Sequence, residues 1–369
     1  MGMNKCITSG FYGFLQRPLG FAGNAGADGV LFGHAIAPFV SAYPFSSGVG
    51  VGTKYANPAT AMTSTVEGIV FNSLGNAVIM TDNANPFVHA YAWTKQTGFG
   101  TKFAAPAVIG RTGAALAMRK AGATQDQIAQ ADQDGGVAQY ISVWNFSRTG
   151  AGWGAKYGNP ASLPPGLGTG IKFNPLGSAI AISNTVSPFI AGYPWAAGGF
   201  GTRYANPAVL APGACADLAF SRLGGGVIMP HGFIAGAHVS AWAFNPVSGF
   251  GGKFAAPSYP GGFIDTGQGV ATSRDSVIVG QTLSALDDQF KSWRWTDSSG
   301  FGTRHAHPAR VPFAVNALAF SPNDDTLFMT RSDATRMSNR KWTDISGFGT
   351  LYPTPVTLPT GNPVSVCVH

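Results

Sequence analysis

Six basic residues recur at one position of a repeated motif, and of all the side chains they are the best placed to bind a ligand. The motif reads Gly-x-Gly-x-[Lys/Arg]-[Tyr/Phe]-Ala-x-Pro, so an aromatic residue usually follows the cation. Cations beside aromatic rings can bind phosphates or acidic sugars. In the alternative, structural role, each long side chain lies over an aromatic ring and donates to loop carbonyls. The six residues are Lys54, Lys102, Lys156, Arg203, Lys253 and Arg304, and Leu351 holds the seventh position.

A large aromatic residue precedes each motif cation by about nine positions. If these side chains were exposed, their flat faces could stack on sugar rings. Recurrence in every repeat also suits a packing role inside each structural unit. Four of them are tryptophans, which are the candidate sugar-binding aromatics: Trp93, Trp195, Trp295 and Trp342.

Nothing in the sequence marks a catalytic or metal-binding constellation. The glycine-rich strings are followed by Pro, whereas a phosphate-binding loop leads into a helix. The acidic pairs Asp287-Asp288 and Asp324-Asp325 fall in predicted turns, where we expect solvated carboxylates. The three cysteines match neither a zinc spacing nor a disulfide framework. We therefore predict that the protein is not an enzyme and that it uses no metal and no cofactor.

The motif occurs seven times, and this repetition predicts the architecture. Successive copies are separated by 47 to 54 residues. Before each copy comes an apolar run such as GIVF (68–71), a turn, a second run such as AVIMT (77–81), and a third such as VHAYAW (88–93). Four strands in about 50 residues are typical of a propeller blade. We predict an all-β, seven-bladed β-propeller of four-stranded antiparallel blades.

Ring closure requires that the first and last blades be joined, because a propeller otherwise exposes sheet edges. The tail 360–369 ends in an alternating run, and we predict that Val364–Val368 is the innermost strand of a blade whose other strands come from about 29–56. In a competing interpretation, residues 20–33 supply a first and a second strand, and the N-terminal blade is complete without the tail. Both describe one domain, 1–369; with the shared blade, 1–28 is an N-terminal extension and 360–369 is the closing strand.

The third unit contains a longer, polar stretch at 119–141. We predict that this insertion forms a protruding loop or a short helix at the rim. Insertions of this kind often carry function in repeat proteins.

Composition excludes several classes of protein. The chain has 51 Gly and 25 Pro among 369 residues, with 12% aromatic and 11% charged residues. That many aromatics argue against disorder, and so few charges argue against a coiled coil. The net charge is +7, but the chain has no run of basic residues, which argues against specific nucleic-acid binding. No apolar run predicts membrane insertion or a signal peptide, so we expect synthesis in the cytoplasm.

One repeat resembles a known family. The segment ALAFSPNDDTLFMT (317–330) is similar to the first two strands of a WD40 blade, and Trp295 to Asp297 and Trp342 to Asp344 give a faint W-x-D pattern. No Gly-His pair opens the units and no Trp-Asp pair closes them, so that family's hydrogen-bond network is not assigned. The motif, with its low charge, is also similar to WD40-like propellers encoded by tailed bacteriophages.

The resemblance concerns architecture and is not specific for function; we predict a non-enzymatic structural or binding disc. We expect a bacteriophage virion component, such as a decoration, tail or fibre-associated protein, that contacts another virion protein or the host surface and ends up in the particle. Two alternatives are a carbohydrate-binding propeller lectin and an intracellular protein-interaction scaffold. The expected partner is a protein within a larger assembly, with a glycan or other anionic surface as a further candidate.

Overall fold

In the computed structural model, seven four-stranded antiparallel sheets form a propeller ring, which confirms the predicted fold class. The structure describes residues 28–134, 140–232, 238–257, 266–282, 290–306 and 314–369. None of these residues forms a helix, and hence none forms a helix able to cross a membrane.

The strands form seven blades, in each of which four strands follow one another outward from the ring axis. Blade 1 contains β28 (Pro363–Val368), β1 (Asp28–His34), β2 (Val40–Ser46) and β3 (Gly50–Val51). Blade 2 contains β4 (Gly68–Phe71), β5 (Ala77–Thr81), β6 (Val88–Thr94) and β7 (Gly98–Lys102). Blade 3 contains β8 (Gly113–Ala121), β9 (Gln125–Asp132), β10 (Ile141–Ser147) and β11 (Gly152–Lys156). Blade 4 contains β12 (Gly168–Phe173), β13 (Ala179–Asn184), β14 (Ile190–Ala196) and β15 (Gly199–Phe200).

The last three blades follow the same order. Blade 5 contains β16 (Ala219–Phe220), β17 (Gly226–Pro230), β18 (Val239–Asn245) and β19 (Gly249–Lys253). Blade 6 contains β20 (Thr266–Thr272), β21 (Ser276–Thr282), β22 (Phe290–Thr296) and β23 (Gly300–Arg304). Blade 7 contains β24 (Leu318–Phe320), β25 (Thr326–Thr330), β26 (Met337–Thr343) and β27 (Gly347–Leu351).

Antiparallel order gives the ring two different faces. The turns between first and second strands, and between third and fourth strands, lie on one side, which we call the turn face. All other connections lie on the opposite side, the loop face. The inner strands are buried almost throughout, as in GIVF (68–71) and AVIMT (77–81), because each small sheet packs between two neighbours.

The two ends of the described chain share blade 1. Strand β28 pairs with β1 through Val30↔Val368, Leu31↔Cys367 and Phe32↔Val366. This confirms the predicted shared blade, in which the tail supplies the innermost strand. The N-terminal blade is therefore not complete without the tail.

Most of the 119–141 insertion is strand, in contrast to the predicted loop or helix. Strands β8 and β9 pair up to Ala121↔Gln125, and residues 135–139 lie outside the described part of the chain. The polar composition was misleading because most of the polar side chains of β9 are buried and several have hydrogen-bond partners. Asp126, for example, accepts hydrogen bonds from the Ser73 amide and hydroxyl of blade 2, at 2.9 and 2.7 Å.

The first motif glycine serves two purposes. At all seven copies its φ is positive, between 75° and 102°, a region that side chains rarely adopt. At Gly249 an added Cβ would also lie 2.6 Å from Tyr204, the aromatic residue of the preceding motif. That tyrosine reaches from blade 4 into blade 5 and meets Phe244 edge to face, with ring centroids 5.8 Å apart. The glycine thus turns the chain and leaves room for the ring that links two blades.

Candidate functional site

The motif cations lie where the fourth strands approach the loop face, and all six are half-buried. Wherever strand pairing extends to the cation, its partner is an aromatic residue of the third strand, as in Tyr91↔Lys102 and Trp242↔Lys253. The Lys102 and Lys253 ammonium groups lie 5.7 and 5.6 Å from those ring centroids. The aromatic partner is thus on the neighbouring strand, whereas the residue next in the chain packs into the following blade.

Blade 7 shows why the ring of cations has a gap. There Leu351 replaces the cation, and the residue opposite it is Arg340 instead of an aromatic. Blade 7 therefore has the cation on its third strand and the apolar side chain on its fourth strand, the reverse of the other blades. A role in cross-strand packing needs only that a cation and an apolar side chain face each other. Ligand binding by Lys54, Lys102, Lys156, Arg203, Lys253 and Arg304 stays a prediction.

The four tryptophans lie within the blades, each 2 to 4% exposed. Trp93 meets Tyr55, Phe71 and Phe99 edge to face at 5.2 to 5.4 Å. Trp195, Trp295 and Trp342 have equivalent partners. Their faces are covered by protein, which leaves no platform on which a sugar could stack.

A cavity of about 290 Å³ opens where the inner strands reach the turn face. It is lined by the last residues of the first strands and by turns that follow them, so all seven blades contribute to one site. This volume is near the lower end of the range for small-molecule pockets. The charged and titratable side chains that line it are Lys172, Arg222, Asp324 and His369.

Asp324 occupies a position at which three other blades have glycine. The turn of blade 7, SPNDD (321–325), aligns with NSLGN, NPLGS and SRLGG of blades 2, 4 and 5. Asp324 has φ +57°, close to the 65°, 66° and 82° of Gly75, Gly177 and Gly224. A non-glycine residue in this region is strained, although Asp is among the residues that tolerate it best. Strain of this kind often accompanies function.

The Asp324 carboxylate is poorly solvated, contrary to the expectation for a turn residue. Burial raises its pKa from the ordinary 3.8 to about 6, and this effect outweighs the lowering by Arg222. The Arg222 guanidinium lies 3.8 Å from Asp324 Oδ2, and the carboxylate side chain is 13% exposed. A carboxyl group that titrates near neutral pH can both accept and donate a proton. The other predicted acidic pair, Asp287-Asp288, lies outside the described residues.

Lys172 is the second departure from the repeat. The residue is 7% exposed and lines the cavity, and its Nζ has no hydrogen-bond partner among the described residues. The same position in the other blades is small and apolar. Those residues, all buried, are Val70, Ala117, Ala219, Ala271, Ala319 and Cys367.

One wall of the cavity is aromatic. The His369 ring lies against Phe71 with centroids 5.2 Å apart, and Phe173, Phe220 and Phe320 stand at equivalent strand ends. Apolar walls around a few polar groups are usual for small-molecule sites. One partly enclosed space therefore holds the Lys172 cation and the Arg222–Asp324 ion pair, whose carboxyl group has a raised pKa.

The consensus residues of the repeat do not indicate this site. Aligning the seven units and looking for departures from the repeat would have identified Lys172 among alanines and Asp324 among glycines. The repeated positions carry the fold, so unique polar residues at buried repeat positions are the better signal of function.

Comparison with known proteins gives fold neighbours but no family. No protein-family model matches the chain, and no curated protein matches it. A Bacteroides uniformis protein named as a 6-phosphogluconolactonase is similar in structure, with TM-score 0.68, 14% identity, and coverage of 93% of this chain and 100% of that one. The periplasmic gluconolactonase PpgL of Pseudomonas aeruginosa gives TM-score 0.66 and 15% identity, over 92% and 98% of the two chains. The WD40-like propeller domain of Cps50 (Swd1) from Myceliophteria thermophila gives 0.54 and 12%, over 85% and 96%.

These neighbours support the seven-bladed, WD40-like architecture and correct the functional expectation. Two of them carry the names of enzymes and share the architecture over nearly the whole chain. The prediction of a non-enzymatic disc, with a lectin or a scaffold as alternatives, was therefore wrong. It took the absence of a recognisable catalytic motif in the sequence as evidence against catalysis, although a site can be assembled by the fold from residues far apart in the chain. The comparisons give no support for the resemblance to phage propellers or for a virion component.

Proposed function

We propose that this protein is a hydrolase of small sugar lactones and that the reaction takes place in the turn-face cavity. The observation that carries the proposal is Asp324, which is strained, poorly solvated and has a pKa of about 6. The structural neighbours named as lactonases support the reaction class. The cavity, at about 290 Å³, suits a ligand of the size of one sugar ring.

In the proposed reaction, the Asp324 carboxylate accepts a proton from water as the water oxygen bonds to the lactone carbonyl carbon. The ring C–O bond then breaks, and the same proton is returned to the departing ring oxygen. The product is an open-chain hydroxy acid, which ionises at neutral pH. Arg222 holds the carboxylate and adds positive charge near the developing oxyanion.

The experiment is a lactone hydrolysis assay in which gluconolactone and its phosphorylated form are measured against the spontaneous rate. We expect the Asp324→Asn variant to lose at least about a hundredfold in kcat, a usual contribution of a general acid–base. Asp324→Gly restores the residue of blades 2, 4 and 5, so it should fold normally while losing the same activity. Asp134→Asn removes a carboxylate on the loop face, paired with Arg111, and should retain activity.

Two results would contradict the proposal. One is a wild-type rate no higher than the spontaneous rate with every lactone tried. The other is a fully active Asp324→Gly variant, because the carboxylate would then be unnecessary.

A protein partner is a second candidate, and exposed aliphatic side chains favour it. Val49, Val247 and Ile345 at the tips of turns between third and fourth strands are 77, 88 and 81% exposed on the turn face. A propeller in the Mitotic Checkpoint Complex, similar in structure at TM-score 0.54, occurs in a protein assembly. Cross-linking in cells should identify contacts at these tips, and the Val247→Asp, Ile345→Asp double variant should lose them. Unchanged cross-links in that variant would contradict this second proposal.

A further inference from the structure

The Lys172 ammonium is buried without a compensating group in the described part of the chain. It is 7% exposed, and no described acceptor lies within hydrogen-bonding distance of Nζ. A buried cation without a partner is strongly unfavourable, so proteins usually pair it. The missing acceptor can be supplied by a ligand, since Lys172 also lines the cavity.

The fold does not require a cation at this position. Blades 3, 5, 6 and 7 have Ala117, Ala219, Ala271 and Ala319 there, all buried. Blade packing therefore does not require a lysine at this one of seven equivalent positions.

The charges around the cavity indicate how much negative charge a ligand should bring. Apart from His369, the ionisable side chains that line it in the described part of the chain are one lysine, one arginine and one aspartate: Lys172, Arg222 and Asp324. Arg222 and Asp324 face each other at 3.8 Å and compensate one another. Among these three side chains, the positive charge of Lys172 is left over.

We propose that Lys172 is a specificity-determining residue that binds the carboxylate of a singly charged sugar acid or acidic lactone. A carboxylate brings one negative charge and acceptor oxygens suited to an ammonium group. A phosphate dianion would leave one negative charge uncompensated in a partly apolar cavity. The proposal rests on the proposed function for the identity of the site, and it adds the class of substrate.

The first test measures binding alone, by titration calorimetry with gluconate as the probe. We expect Lys172→Met to weaken gluconate binding by about tenfold or more, the usual loss for a hydrogen bond to a charged group. Lys341→Met removes an exposed lysine of β26 and should bind gluconate as the wild type does. Inorganic phosphate above its second pKa should bind more weakly than gluconate. Equal gluconate affinity in Lys172→Met and wild type, or tighter binding of phosphate than of gluconate, would overturn the proposal.

A second test separates this proposal from the proposed function. Hydrolysis is compared for gluconolactone, which is neutral, and glucarolactone, which carries a free carboxylate. Lys172→Met should lower kcat/KM for glucarolactone about tenfold more than for gluconolactone. If no lactone is hydrolysed but gluconate binding still depends on Lys172, the hydrolase function fails and the carboxylate site stands. If both lactones are hydrolysed with an unchanged ratio in Lys172→Met, the function stands and the carboxylate site fails.

Discussion

The outer strands and the inner cavity of this propeller follow opposite rules. On the outer strands, each blade repeats the same glycine, cation and aromatic residue, and even the exception in blade 7 keeps the pair by exchanging Arg340 and Leu351. In the cavity, Lys172 and Asp324 each replace a residue that other blades share. Repetition therefore marks the residues that the blades share, and departure from repetition marks those that we propose act on a ligand. Substitutions in the two regions can test this contrast between repeated outer strands and unique cavity residues.

The largest effect should come from opening the ring. Deletion of 361–369 removes β28, the innermost strand of blade 1, and exposes the edge of β1. We expect the loss to be comparable to the whole stability of a typical domain, about 5 kcal/mol or more, so that no cooperative thermal transition remains. Calorimetry measures it, and a synthetic peptide of residues 361–369 added in trans should restore part of the transition. A melting temperature equal to that of the intact chain would contradict the role of the shared blade.

Substitution of a motif glycine should have the second largest effect on stability. Gly249→Ala places a Cβ 2.6 Å from Tyr204 in a residue with φ +85°. Backbone strain and overpacking together should lower the free energy of unfolding by about 3 kcal/mol in urea titration. Gly252→Ala, where no heavy atom lies within 4 Å of the new Cβ, is the matched control and should change it by less than about 0.5 kcal/mol. Equal effects of the two substitutions would mean that the inter-blade contact contributes little.

The repeated part of the molecule was predictable from the sequence because each of its constraints appears seven times. The fold class, the order of strands and the closing role of Val364–Val368 all followed from the motif spacing. The cavity was not predictable in that way, since Lys172 and Asp324 each occur once and lie in segments that otherwise read as ordinary strand and turn. Whether a turn carboxylate is solvated depends on neighbours in other blades, such as Arg222, which only the folded ring brings within 3.8 Å.

The pH dependence of stability should reveal Asp324. Its pKa is about 6 in the folded chain and ordinarily 3.8, so the folded state binds more protons between these values. Stability therefore falls as pH rises from about 4 to about 6, by up to about 3 kcal/mol, and stays lower above that range. Asp132, whose pKa burial raises to about 7, adds a second fall in the same direction.

The measurement is urea unfolding of wild type and Asp324→Asn at several pH values. For each protein, the free energy of unfolding is plotted against pH. The difference between the two plots gives the contribution of Asp324, because Asp132 contributes equally to both. Parallel curves from pH 4 to pH 7 would show that the Asp324 carboxyl is solvated after all.

Lys172→Met should make the protein more stable, in contrast to the glycine substitution. The change removes an unpaired buried charge and keeps a side chain of similar length at a position where six blades are apolar. We expect a gain of about 1 kcal/mol in the free energy of unfolding, the usual trade between stability and function at a site. Lys341→Met should be neutral in the same assay. A loss of stability in Lys172→Met would indicate that the ammonium already has a partner within the protein.

The smallest effect should come from the motif cations, and it decides between their two roles. Lys102→Met keeps the apolar stem over Tyr91 and removes only the cation–π contact, so it should lower stability by about 0.5 kcal/mol. If the cations are structural, a Lys102→Met, Lys253→Met double variant should elute from a heparin column at the same salt concentration as a Lys120→Met, Lys341→Met variant, which has equal net charge and lacks two exposed lysines. Much earlier elution of the Lys102, Lys253 variant would show that the repeated ring binds an anionic partner. The division between repeated structural residues and unique functional residues would then hold for the cavity alone.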